Sequence, residues 1–580
     1  MKKLYRYATL LMMPAAMFTA SSCTNLDETL YDQVASQNYY NTQEDVIRAV
    51  LRPFEHGFWS IQSRQVLNEE TADQLITPTR EDWWDDGGRW ARLHRHKWLN
   101  TNGEAQSAYN GCYQGIGQTN LVIEDLDKLS ASKFGFSDAE FNNLKAQNRV
   151  LRAWFYLTLL DEFRNVPLCV SYYDLSKNSE GQVEPRKIYD FIESELKAVL
   201  PDLTKKSSLG GNQNLEGQWT QAGAAALLVR LYLNAKTYIG EDHFADCEQY
   251  AQDILDGKYG TYEVADRWDA AFDWNNETCD EVIFAFPGSA GYSHWHYKGD
   301  TYWWSVPSKA SDWLNDTKNK EGSHNSKYSA SPSYKPNGEK YDFELGMPIS
   351  RFKDYPSDVR LKMYRNLGDN KREGLFIYGK IAYKDENGNT QYLKDHNGKY
   401  TLDIRDAVGK FGATDGDKWL ATSSSKLENG DDNSGWMFVK YPLYSDNEKG
   451  QLEADYCEIR LPEIIYSLAE CKLRDGKTAE AAKLLNSVRK RNYPSSDWNT
   501  VLYAPEGSAK LDMQEMLNEW GREFFAEGRR RIDLIRFDKF LKAWWDKDAD
   551  ADDHTLVFPF HPDILGANKH LKQNPGYGDN

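Results

Sequence analysis

Residues 70 to 102 read ETADQLITPTREDWWDDGGRWARLHRHKWLNTN, setting Trp83 and Trp84 between Asp82 and Asp85 and following them with Gly87-Gly88, Trp90, Trp98 and Asn102. Flat aromatic faces suit the C–H side of a pyranose ring, and Arg80, Asp82, Asp85 and Asn102 are planar polar groups that can exchange hydrogen bonds with hydroxyls. Neighbouring side chains of a turn or extended segment point in different directions, so Trp83 and Trp84 cannot both be core, and at least one is expected at the surface. Trp90 and Trp98 flank a basic run and have the stronger claim on the interior.

A second aromatic cluster, GYSHWHYKGDTYWWSVPSKASDW (291 to 313), holds Trp295, Tyr297, Trp303 and Trp304. Packing under a long loop accounts for each of these rings equally well. The expectation is that Trp83 or Trp84 converges on one exposed cleft with a ring from 295 to 304.

Other constellations carry weaker chemistry. His94 and His96, like His294 and His296, alternate as metal ligands on a strand would, but neither pair has a third ligand nearby in sequence. The run DKDADADDH (546 to 554) is the one opening for a structural divalent cation such as calcium. It lacks the glycine and the closing glutamate of a calcium loop, so a solvated acidic turn is the better account and no cofactor is expected. Glu519, Glu523 and Glu527 share a helical face at four-residue steps, as a glycosidase pair could. The arginines around them, Arg522, Arg529, Arg530 and Arg536, argue for ion pairs instead, because a guanidinium lowers a carboxyl's pKa and spoils it as a general acid. No Gly-x-Ser-x-Gly, His-Glu-x-x-His or phosphate loop is present, and no catalytic residue is assigned.

Composition narrows the partners. The chain has 580 residues, a net charge of -18 and a mean hydropathy of -0.74, which disfavours nucleic acid or an anionic membrane as partner. Its 19 Trp, 35 Tyr and 24 Phe exceed what a core of this size needs, and many of the tryptophans stand in polar, Gly-rich surroundings. Lys2, Lys3 and Arg6, the apolar Ala8 to Phe18, and small residues leading to Cys23 read as an export signal of residues 1 to 22. Cys23 is the expected lipidation site and membrane anchor; loss of the leader removes three positive charges and takes the formal charge from -18 to -21. The other six cysteines show neither CxxC nor zinc spacing.

The elements that would position these residues are helices. In IRLPEIIYSLAECKLRDGKTAEAAKLLNSVRKRN, apolar residues at three- and four-residue steps predict a helix closed by Asp475-Gly476 and a second helix capped by Thr478, the unit of a tetratricopeptide repeat. A second pair is predicted at 512 to 527 and 532 to 545, and further helices upstream. The repeats are split: a helical scaffold at about 40 to 257 and 457 to 580 is interrupted by a loop-rich insert at about 258 to 456. There Asn387-Gly388 and Asn397-Gly398 each predict a hairpin.

Several motifs occur in one order: the lipobox-like Cys23, NRVLRAWFYLTLLDEFRNVPL (148 to 168), QWTQAGAAALLVRLYLNAKTY (218 to 238), the helix pair above, EWGREFFAEGRRRIDLIR (519 to 536) and VFPFHPDILGANKHLKQNPGY (557 to 577). Together they resemble the SusD-like (RagB/SusD) outer-membrane nutrient-binding lipoproteins of Bacteroidetes, over nearly the whole chain apart from the insert. Trp520, Gly521 and Arg531 depart from that pattern. The resemblance implies an all-α, SusD-like fold of tetratricopeptide-like helix pairs on a body spanning 23 to 580. It also implies a lipid-anchored, surface-exposed location and a SusC-like TonB-dependent transporter as partner. The implied role is capture of an oligosaccharide for that transporter, without chemistry on the ligand. Peptide capture of the RagB kind is the alternative, followed by an all-helical glycoside hydrolase or lyase.

Overall fold

The computed structural model describes residues 39–81, 84–211, 214–273, 275–288, 328–368, 371–385, 387–412, 425–441 and 454–578. Cys23, Asp82, Trp83, Trp295, Tyr297, Trp303 and Trp304 lie outside the described residues, as do His294 and His296.

Helix α1 (Gln43–Glu70) opens on a reciprocal capping box, in which Thr42 Oγ1 accepts from the Asp45 amide at 3.2 Å and the Asp45 carboxylate accepts from the Thr42 amide at 2.9 Å. Its buried stripe is Val46, Val50, Phe54, Phe58 and Ile61, at steps of four and three residues. A short α2 (Arg89–His94) and then α3 (Gly103–Leu126) follow, and α4 (Asp138–Glu162) starts from a second capping box made by Ser137 and Glu140. Next come α5 (Pro185–Val199), α6 (Gln221–Leu233), α7 (Ala235–Ile239) and α8 (Phe244–Leu255). In α6 the buried Ala222, Ala224, Ala225 and Ala226 keep its surface low, so that neighbouring helices approach closely.

After a long excursion with few helices, among them α9 (Pro348–Lys353), the array resumes as α10 (Leu461–Arg474), α11 (Thr478–Arg489), α12 (Met513–Glu523) and α13 (Arg530–Arg536). Successive helices pack as neighbours: α1 on α3, α3 on α4, α4 on α5, α5 on α6 and α6 on α8. Across the excursion α8 packs on α10, α10 packs on both α11 and α12, α12 packs on α13, and α13 returns to α1. The fold is all-α, with split helix pairs.

Three details differ from expectation. Thr478 is the first residue of α11 rather than its cap; Lys477 holds the cap position without a side-chain bond. The helix expected over 532 to 545 is the shorter α13, because the chain turns at Asp538, whose φ of 56° leaves the helical region. Of the two hairpins, Asn387-Gly388 joins β7 (Ala382–Lys384) to β8 (Thr390–Tyr392). Asn397-Gly398 closes a turn held by a single bridge between Lys394 and Thr401.

The remaining strands are short antiparallel ribbons. β1 (Leu75–Ile76) pairs with β3 (Ser329–Ala330), β4 (Arg365–Gly368) with β5 (Lys371–Glu373), and β6 (Phe376–Ile377) with β9 (Met437–Phe438). The longest pairs β2 (Val282–Phe286) with β10 (Tyr456–Arg460), setting Tyr456 opposite Phe286, so one ribbon clasps both ends of the excursion.

Candidate functional site

The Trp-rich turn is held from beneath by the excursion. After β1, the Thr79 amide donates to Leu427 O at 2.9 Å and the Glu81 amide to Gly430 O at 3.3 Å, while Tyr400 Oη donates to Glu81 Oε1 at 2.6 Å. Glu81 takes φ 52°, and the chain doubles back so that the Arg80 amide donates to Trp84 O at 3.1 Å. Arg80 is fully buried. Its Nη1 donates to the carbonyls of Asp431 at 3.0 Å and Ser434 at 2.7 Å, and burial pushes its pKa down against the nearby Asp432 and Asp431. The expectation of Arg80 as a ligand-binding group is therefore corrected: the side chain points inward and staples the turn to the 425–435 loop.

Beyond the turn, Asp85 Oδ1 accepts from the Gly87 amide at 2.7 Å and Asp86 Oδ1 from the Gly88 amide at 2.6 Å. Gly87 and Gly88 take φ of 67° and 75°, a left-handed pair that side chains resist, and this turn launches α2. Asp85 is exposed and Trp84 half-buried. The Trp84 ring leans on Trp90 with centroids 5.7 Å apart, and buried Trp90 stacks on Tyr328 at 6.0 Å with planes 9° from parallel. Tyr328 is the first described residue after the aromatic-rich segment that includes 295 to 304.

Two further expectations are corrected. Trp98 is only 6% exposed; its Nε1 donates to Tyr577 Oη at 2.7 Å and its ring packs on Phe558. Asn102 is buried as the cap of α3, its Oδ1 accepting from the Ala105 amide at 2.9 Å. Both are committed to the fold. His94 and His96 also face inward to separate partners: His94 bonds Trp545 O at 2.8 Å, while His96 bonds Thr71 O at 2.8 Å and Asp550 at 2.7 Å. Burial pushes each imidazole down to about 4. Among the described residues no three His, Cys, Asp or Glu side chains are grouped to hold a metal ion.

The helix expected over 512 to 527 ends at Glu523, because the chain turns at Ala526 with φ 60°, so Glu519 and Glu523 of α12 are joined by Glu527 from beyond its end in one ion-pair lattice. Glu523 accepts from Arg460 at 2.7 Å, Arg491 at 2.6 Å and Arg360 at 3.3 Å. These guanidinium groups hold its carboxyl well below the usual range in spite of burial. Glu519 accepts from Tyr466, Arg522 and Arg489; Glu527 accepts from Lys440 and Arg460. Next to this lattice lies a cavity of about 100 Å³ lined by Arg64, Glu162, Arg230, Glu458 and Glu527 among others. Glu162 has no hydrogen-bond partner there, and burial pushes its carboxyl up to about 8.

Sequence reasoning missed two aromatic features. Tyr378 stacks on Trp436 with centroids 3.9 Å apart, and the Lys353 ammonium lies 4.6 Å from the Trp436 ring. Trp59 is 41% exposed on α1. It follows Phe58 of the buried stripe directly, and one residue is about 100° of helix rotation, so the stripe itself placed Trp59 off the core face.

This all-α arrangement of split helix pairs is the SusD-like fold, and the chain belongs to the SusD-like family. The SusD family model matches residues 281–564, and a second model, described as "Starch-binding associating with outer membrane", matches 24–233. The chain is 24% identical to the starch-binding protein SusD of Bacteroides thetaiotaomicron over 515 residues, covering 85% of this chain and 82% of that protein. Among solved structures, a laminarin-binding SusD-like protein superposes with a TM-score of 0.63 at 17% identity, covering 93% of this chain and all of its own. NanU of Bacteroides fragilis superposes with a TM-score of 0.65 at 19% identity, covering 94% of this chain and 99% of its own.

Proposed function

We propose that this protein is a glycan-binding lipoprotein of the outer-membrane surface, anchored at Cys23, that captures an oligosaccharide and passes it unaltered to a SusC-like TonB-dependent transporter. The observation that carries the reading is the relay Trp84–Trp90–Tyr328, which fixes a half-exposed indole at the end of the second aromatic segment. Trp83 or Trp84, Asp82, Asp85, and rings among Trp295, Tyr297, Trp303 and Trp304 form the sugar-binding cleft. Its aromatic faces stack on pyranose rings and its carboxylates accept from their hydroxyls. Kinship with a starch-binding protein supports a carbohydrate ligand. The engagement of Glu519, Glu523 and Glu527 with arginine and lysine supports binding without cleavage.

Affinity electrophoresis against a panel of neutral polysaccharides, with peptides titrated alongside, tests the reading. Retardation by at least one glycan with no new reducing ends is the expected result. Release of reducing ends, or binding confined to peptides, overturns it.

A further inference from the structure

We propose that the groove around Trp59, between α1 and α3, is a second sugar-binding subsite that takes one neutral pyranose residue. The inference rests on the reading of the protein as a glycan binder and extends it to a groove whose indole, Trp59, belongs to neither aromatic segment of the sequence.

Trp59 is a large exposed ring held in a fixed seat. A Cβ built on Gly111 of α3 would lie 3.7 Å from its six-membered ring, so one part of the indole rests on bare helix backbone. Gly103, Ser107 and Gly111 recur at four-residue steps along α3 and keep that wall low. The result is a groove of about 370 Å³ whose lining includes Trp59, Ser60, Ser63, Arg89, Glu104 and Ser107. That volume falls at the small end of the roughly 300–1,000 Å³ typical of ligand clefts.

The lining selects the ligand class. Trp59, Val66 and Gly103 are its only residues without a polar side chain, which gives an apolar peptide or an acyl chain one ring and one valine to bury against and a sugar ring one face to stack on. Arg89 Nη1 lies 3.1 Å from Glu104 Oε1, so the groove's one cation and one anion balance and favour a neutral occupant. Glu104 Oε2 has no hydrogen-bond partner in the protein, while its Oε1 is held by Arg89. Half-exposed Arg89 offers donors on the same rim. It begins α2, five residues after Trp84, so the groove and the Trp-rich turn share a short stretch of chain. A glycan long enough to reach both would gain affinity from the second contact without any change in the first.

The test is titration calorimetry of the full chain with the polysaccharide that retards it most in affinity gels, using wild type, Trp59→Ala and Trp59→Phe. Trp59 is 41% exposed and outside the buried stripe, so both variants should keep the wild-type circular dichroism, with a modest fall in melting temperature for Trp59→Ala and less for Trp59→Phe. The expected result is a roughly three- to tenfold weaker Kd for Trp59→Ala, most of it recovered in Trp59→Phe, which keeps an aromatic face. An unchanged Kd in Trp59→Ala overturns the subsite and leaves the main cleft standing, even if transporter association is lost. A wild-type chain that binds no glycan overturns the reading of the protein and this groove with it.

Discussion

Trp90 lies against Tyr328 with ring planes 9° from parallel and centroids 6.0 Å apart. The contact joins the turn that carries Trp84 to the point where the chain re-emerges from its second aromatic segment, two places some 240 residues apart in sequence. Trp84 leans on the same indole, so a buried stack holds its ring while the backbone bond to Arg80 holds its turn. A ring held that way loses little freedom when a ligand arrives.

Trp84→Ala should therefore weaken glycan binding by about 1–2 kcal/mol, roughly five- to thirtyfold in Kd, with a modest fall in Tm from lost packing on Trp90. Calorimetric titration beside a thermal melt separates the two effects. A Kd equal to wild type would remove Trp84 from the cleft.

Arg80→Ala should act first on stability. It strips the carbonyls of Asp431 and Ser434 of a buried donor, at about 1–3 kcal/mol for each group left unsatisfied. Arg80→Lys should recover only part of this, because a single ammonium on a different stem cannot reproduce the fork. Urea unfolding of the three proteins checks the order wild type, lysine, alanine.

Arg80 also shows where sequence reading reaches its limit. A guanidinium among tryptophans and aspartates looks the same whether it meets a sugar or a carbonyl, and the deciding partners lie some 350 residues downstream. The helix pair at 461 to 489, by contrast, was legible almost to the residue, because apolar periodicity and the Asp475-Gly476 stop are local signals. Trp98 was rightly suspected of being core from its neighbours, yet it also carried a ligand expectation that its bond to Tyr577 excludes. Asn102 had the residue type of a helix cap, and its environment of tryptophans obscured that simpler role. Trp59 was overlooked because it adjoins a buried stripe, although adjacency on a helix means facing elsewhere.

Glu162→Gln should raise stability in a pH-dependent way. Its folded carboxyl stands at about 8 against an ordinary 4.5, so the folded state favours the proton. Its contribution is therefore fully present below about 4.5 and is lost as pH rises through about 8. The variant should match wild type near pH 5 and exceed it at pH 8 by on the order of 2–4 kcal/mol. Denaturant unfolding at both values reads the difference, and an equal gain at both would mean that the carboxyl does not titrate in this window.

Glu523→Gln should be strongly destabilising, by about 3–5 kcal/mol at neutral pH, since it leaves Arg360, Arg460 and Arg491 short of a buried counter-charge. This carboxyl is held below its usual value, so its contribution is present above the ordinary carboxylate range and fades in acid. The gap between variant and wild type should thus narrow as pH falls. Glycan should stay uncleaved by both proteins, as reducing-end assays would show.

The β2–β10 ribbon brings the two ends of the excursion together. Outbound and homebound strands lie side by side, with Tyr456 facing Phe286, so the chain leaves and rejoins the helical frame at one place. A segment grafted there would have to return Arg360 to Glu523 and Lys440 to Glu527 for the helices to keep their mutual fit. The graft must still present two backbone oxygens where Asp431 and Ser434 now meet Arg80, or the borrowed loops would arrive without the turn they are meant to complete.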